Sequence, residues 1–143
     1  VSTNRVEAEL AIRNAVARLA HLADLGDVDA YVELMTDDVV WTMPASPHIG
    51  LAASERVGRA EIANGAHERI AAGVQGPSSH TMHTITTVAV MFETDDDAVA
   101  ESSFVFWGDT ATAPVPRSIG RYRDTFRLTA DGWRLARRLV TFG

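Results

Sequence analysis

The chain has no cysteine, and because all 13 of its basic residues are arginine it has no lysine either. The first absence excludes disulfides, thiol nucleophiles, iron–sulfur clusters and Cys-ligated zinc. The second excludes lysine Schiff-base chemistry, and with it covalently held pyridoxal phosphate. Positive charge is scarce overall, the formal net charge being −6. That argues against nucleic acid or an anionic membrane as partner, since both reward basic patches. No apolar run approaches the roughly 20 residues of a membrane span, and no basic segment leads into an apolar one at the start, so a cytoplasmic protein is expected.

What is present reads as one globular domain over residues 1–143. A chain of 143 residues can bury its own core but is too short for two ordinary domains. Its 46% hydrophobic and 22% charged residues are the balance of a folded protein rather than a disordered one. The acidic run at 93–97 reads as a solvated turn before a strand.

The spacing predicts a helix over 4–25, because Ala8, Ile12, Ala15, Val16, Leu19, Ala20 and Ala23 fall on one arc at about 100° per residue. Gly26 supplies its stop. A shorter helix follows, with Asp27 as N-cap and Tyr31, Leu34 and Met35 as its apolar side. Asp37-Asp38 closes that helix, and a strand opens at Val39 and ends at Pro44. Residues 45–57 read as a mobile loop, and Gly58 introduces a third helix over 59–72. Strands are expected at 80–92, 98–107, 118–128 and 133–142, with a loop over 108–117 and Asp131-Gly132 as a hairpin turn. The order ααβαββββ is an α+β architecture, helices covering one face of a strongly bent, mainly antiparallel sheet. It offers neither the βαβ alternation nor the glycine-rich loop of a nucleotide-binding fold.

Some polar residues stand where the pattern favours apolar ones. Asp24 lies late in the first helix at the edge of the apolar arc, beside Ala17 and Ala20. A carboxylate there is disfavoured by its neighbours and by the negative end of the helix dipole. A solvated residue before a helix stop accounts for it as readily as a functional one. His80 and His83 are three apart on an expected strand, so they face opposite ways and do not share a metal. A lone inward histidine is a satisfied core residue unless a carboxylate meets it. A turn at Asp131-Gly132 sets Leu128 opposite Leu135 and Phe126 opposite Arg137. Tyr122, Asp124 and Arg137 then share an otherwise apolar face, while Arg121, Arg123, Arg127 and Arg138 share the other. This is either a hairpin ion pair backed by a solvated basic face or a polar floor in an apolar pocket.

Taken together, Asp24, Asp38-Val39-Val40-Trp41, Gly58-Arg59, Thr81-Met82-His83 and the closing Gly120-Arg-Tyr-Arg-Asp124…Asp131-Gly132-Trp133-Arg134-Leu135-Ala136-Arg137-Arg138 resemble the SnoaL-like branch of the NTF2-like superfamily. The resemblance covers nearly the whole chain and implies a cone-shaped α+β scaffold that hosts many functions. The spacing is most similar to the group holding scytalone dehydratase, bile-acid dehydratase and hexachlorocyclohexane dehydrochlorinase. It implies a catalytic dyad of Asp24 and His83, with His80 a bystander. It also implies a pocket arginine at Arg138, whereas the hairpin register points to Arg137. Trp41, Tyr122 and Asp124 complete the expected substrate-binding set. Leu19 stands where the dehydrochlorinase and the bile-acid enzyme carry Lys or Tyr, which counts against dehydrohalogenation. Trp41-Thr42-Met43-Pro44 lacks the carboxylate of the ketosteroid isomerases, and 135–142 lacks the acidic group of SnoaL-type cyclases.

The resemblance therefore implies a lyase, a dehydratase or eliminase, acting without metal or organic cofactor on a small apolar cyclic or polyketide-like molecule. An isomerase or cyclase using the same dyad is one alternative. A non-catalytic ligand-binding or assembly module, in which the pair only satisfies a buried polar site, is the other. An open sheet face with Val99, Val105 and Trp107 points to a homodimer or larger homo-oligomer.

Overall fold

The computed structural model describes residues 2–143, with side chains from Arg5 onward. Helix α1 (Ser2–Leu25) is followed by α2 (Val28–Glu33), strand β1 (Met35–Met43), β2 (Ser54–Val57) and α3 (Arg59–Ala71). Four long strands complete the chain: β3 (Met82–Phe92), β4 (Asp97–Gly108), β5 (Val115–Thr129) and β6 (Gly132–Phe142). They form one open sheet in the order β2-β1-β6-β5-β4-β3. Every neighbouring pair is antiparallel except β1 with β6. The three helices on this curved mixed sheet make the expected α+β architecture.

The apolar arc of α1 is what holds helix to sheet. Ile12, Val16 and Leu19 are at most 2% exposed and share one cluster with Met35, Val39, Phe126 and Leu135. Gly26 adopts φ +74°, and a Cβ there would stand 2.7 Å from Pro77 Cδ, so this left-handed stop also seats the loop after α3. The Asp27 side chain accepts from the Ala30 amide and caps α2 as expected. Among the described residues no helix is long and apolar enough to cross a membrane.

Several local expectations need correction. Strand β1 begins at Met35, so Asp37-Asp38 lies inside it rather than closing α2; both carboxylates are exposed where the register with β6 shifts between Met35 and Val40. Residues 45–57 contain a 3-10 turn (Pro47–Ile49) and β2, which pairs with β1 at Val40↔Val57 through Met43↔Ser54. Strand β2 is mostly exposed, so no apolar alternation marks it; main-chain pairing to a sheet edge creates it. Similarly, β5 starts at Val115, inside the expected 108–117 loop. His80 precedes β3 with φ +53°. Val99, expected on an open face, is 4% exposed.

The hairpin correction matters most. The turn residues are Ala130-Asp131, with Thr129↔Gly132 and Leu128↔Trp133 paired. Two residues further along, the ladder passes from Phe126↔Leu135 to Thr125↔Arg137, leaving Ala136 as a β-bulge. A bulge reverses inside–outside parity beyond it. Leu135 and Arg138 are therefore both buried, Arg137 is exposed, and Arg138 lies directly opposite Asp124.

Candidate functional site

A cavity of about 270 Å³ opens between α1, the loop after α3 and the concave face of the sheet. Its walls are largely apolar, and the aromatic rings of Trp41, Phe104, Phe106, Tyr122 and Phe142 take part, with Tyr31 from α2. Phe104 stacks on Tyr122 with centroids 4.5 Å apart. Gly120 makes room for that stack, because a Cβ there would come within 2.7 Å of the Phe104 ring and closer still to the Thr141 carbonyl oxygen. Apolar walls with a few convergent polar groups are the usual form of a small-molecule site.

The first polar group is His83, the first inward-facing residue of β3. Its Nδ1 lies 2.7 Å from Asp24 Oδ1, and its backbone N–H donates to Asp24 Oδ2 at 3.0 Å. A carboxylate can only accept, so in the neutral imidazole the bond places the ring proton on Nδ1 and leaves Nε2 as the acceptor. Phe106 covers the imidazole at a centroid distance of 4.6 Å. The pair is partly accessible, with side-chain exposures of 15% for His83 and 17% for Asp24. Histidine lines the cavity and aspartate stands behind it.

The second group is Arg138. Its Nε and Nη2 donate to the two oxygens of Asp124 at 2.7 and 2.8 Å, a bidentate pair almost wholly out of solvent. Burial works against the charge on Arg138, but the Asp124 carboxylate more than offsets it and keeps the guanidinium protonated above its ordinary range. The guanidinium carbon lies 3.9 Å from the Tyr122 ring centroid and 5.3 Å from that of Trp41. Burial raises the pKa of both Tyr122 and Tyr31, and the Arg138 charge only partly reverses this. Both phenols are therefore hydrogen-bond donors at neutral pH.

The structure brings together Asp24, His83, Arg138, Tyr122 and Trp41. It leaves out two others from the expected set. Asp124 is 0% exposed behind Arg138 and does not line the cavity. Arg137 is on the outer face, its Nη2 3.5 Å from Thr42 Oγ1. His80 is exposed, and its carbonyl accepts from the Thr110 amide.

Several cavity residues escaped sequence reasoning, Tyr31, Arg69 and Gln75 among them. Tyr31 read only as an apolar position of a short helix. Arg69 and Gln75 lie at the end of α3 and in the following loop, joined by an Arg69 Nε to Gln75 Oε1 bond of 3.2 Å. The basic residue in the last turn of α3 was the one available signal, and it fits the helix dipole equally well. Among the described residues no three His, Asp or Glu side chains converge as a metal-binding group.

An aromatic-walled pocket between helices and a curved sheet defines a small-molecule-binding domain of the NTF2-like fold. The model of the SnoaL-like domain matches residues 4–139, and the chain belongs to that family. A search of curated protein sequences found no match. Three solved structures, all from Novosphingobium aromaticivorans, illustrate the likeness. An NTF2-like protein with a cystatin-like fold is 26% identical with a TM-score of 0.84, the match covering 99% of this chain and 85% of that one. A protein provisionally named an aromatic ring hydroxylase is 29% identical with a TM-score of 0.76, over 96% and 90% of the two chains. A protein provisionally named a scytalone dehydratase is 16% identical with a TM-score of 0.77, over 100% and 89%. The last shares the fold; its identity carries no more than that.

Proposed function

We propose that the chain is a cofactor-independent lyase, a dehydratase or eliminase, that uses Asp24 and His83 as a general acid/base dyad on a small apolar cyclic or polyketide-like molecule. The observation that supports this most is the two-point contact of Asp24 with His83, which holds by its Nδ1 side an imidazole that lines an apolar cavity. In this reading Nε2 takes a proton from a carbon next to a substrate carbonyl. The C–H electron pair becomes the new C=C bond as the C–O bond on the neighbouring carbon breaks. The departing hydroxide recovers the proton from His83 and leaves as water. Negative charge that builds on the carbonyl oxygen is met by Arg138 and by the Tyr122 and Tyr31 hydroxyls.

A base of this kind contributes about 10²–10⁴-fold. The test is His83→Ala against a panel of cyclic β-hydroxy ketones scored for loss of water. The expected result is loss of turnover with the melting curve preserved, and retained turnover would refute the assignment. His83 is also the one imidazole lining the cavity. A single base suits an isomerase, which returns the proton to carbon, so products that keep the mass of the substrate would favour that second reading. The reading further includes a homodimer through the outer sheet face, where Val105 pairs with the 60%-exposed Ile119; sedimentation as a monomer at micromolar concentration would remove it.

A further inference from the structure

The cavity has two arginines in its walls, and they differ in one respect that bears on the ligand. Arg138 is neutralised in place by Asp124. Arg69 is not paired with any carboxylate among the described residues; its guanidinium bonds to an uncharged amide oxygen, that of Gln75. The neighbouring carboxylates are already committed. Both oxygens of Asp24 accept from His83, both oxygens of Asp124 accept from Arg138, and Glu68 pairs with Arg56.

Gln75 is itself 6% exposed and sits in a loop held on both sides. Pro77 rests against Gly26, and the Ser79 hydroxyl bonds the Gly76 carbonyl and the Thr81 hydroxyl. The Arg69 side chain is thus aimed by a seated partner rather than free to swing. Its Nη atoms make no bond among the described residues, and they are the two donors that a carboxylate accepts side by side. Val74, on the same wall, is 50% exposed, which places this wall where the cavity meets solvent.

We infer that Arg69, positioned by Gln75, is an anion-recognition residue, and that the ligand carries a carboxylate or similar oxyanion on an otherwise apolar, ring-sized body. The inference rests on reading the cavity as a substrate site and adds the charge of the substrate to it. A cavity of about 150 Å³ holds one benzene ring, so 270 Å³ has room for two fused rings. The acid group stays at the open wall and the ring system lies among the aromatics, within reach of His83.

Calorimetric titration of the whole protein at pH 7 with 2-naphthoate and with its uncharged isostere 2-naphthamide tests this. The wild type is expected to bind the acid at least about ten-fold tighter than the amide, the order of one charge-assisted bond pair. Arg69→Gln should erase that preference, and a melting curve that matches the wild type reports that the variant is folded. Arg69→Lys should keep part of it. No preference in the wild type, including no binding of 2-naphthoate at millimolar concentration, overturns the inference, and so does a preference that survives in Arg69→Gln. The dyad reading is judged separately: His83→Ala should lose turnover yet keep the acid-over-amide preference. Failure of either measurement leaves the other standing.

Discussion

Asp124 and Asp24 both accept two hydrogen bonds from one partner beside the same cavity, yet their surroundings give them different tasks. Asp124 is fully buried and grips Arg138, itself 4% exposed at the side chain, through two bonds of 2.7 and 2.8 Å. Asp24 is 17% exposed and holds His83 by the ring and by the backbone. The first pair balances its charge internally and holds the Arg138 guanidinium rigidly in the cavity wall. The second leaves the other ring nitrogen of a cavity-lining histidine free of Asp24. Similar geometry therefore produces a structural clamp in one place and a candidate base in the other; access to the partner's remaining lone pair or proton decides which.

Breaking the clamp should have the larger effect. Asp124→Leu strands a buried guanidinium and is expected to cost about 3–5 kcal/mol in urea denaturation. Replacing both partners, in Asp124→Leu with Arg138→Met, should cost clearly less than that single change. If the double change is the worse of the two, the pair does more than satisfy itself.

At the dyad the same logic predicts chemistry lost and stability kept. The two His83 donors meet different oxygens of Asp24, and Asn at position 24 puts an NH₂ donor in place of one of them, so one of the two bonds is lost in this geometry. Asp24→Asn should lower turnover by roughly 10²–10⁴-fold while changing unfolding by less than about 1 kcal/mol. The ¹⁵N spectrum of the imidazole should show a mixed tautomer. An unchanged spectrum would separate the two side chains in solution and dissolve the comparison.

The smallest effect is a missing one. The chain has two tyrosines, Tyr31 and Tyr122, and burial raises both. A phenol whose folded pKa exceeds its unfolded value binds its proton more tightly when folded. It therefore contributes stability that is complete below about pH 10 and lost as pH rises past it. Absorbance at 295 nm should stay flat near pH 10 and climb only with cooperative alkaline unfolding. A gradual rise near pH 10 in the folded protein would mean that the phenols, and the cavity they line, are open to solvent.

Much of this arrangement is legible along the chain. The arc from Ala8 to Ala23, the Gly26 stop, the Asp27 cap and the four long strands are local patterns, and local patterns survive into the fold. Asp24 and His83 stood out as polar residues in apolar settings, and the family resemblance paired them. Other features have no local signature. Strand β2 exists because an edge of β1 needed a partner, and Tyr31, Arg69 and Gln75 converge from three separate segments.

The choice between Arg137 and Arg138 shows the boundary most sharply. Alternation along β6 predicts one inward arginine, and a single extra residue at Ala136 selects the other. The sequence by itself determined the elements, their order and the polar residues that needed partners, because periodicity and turn chemistry act within a few residues. Only the tertiary structure decided which partners met. Register, bulges and loop seating are settled by pairing energies between segments dozens of residues apart.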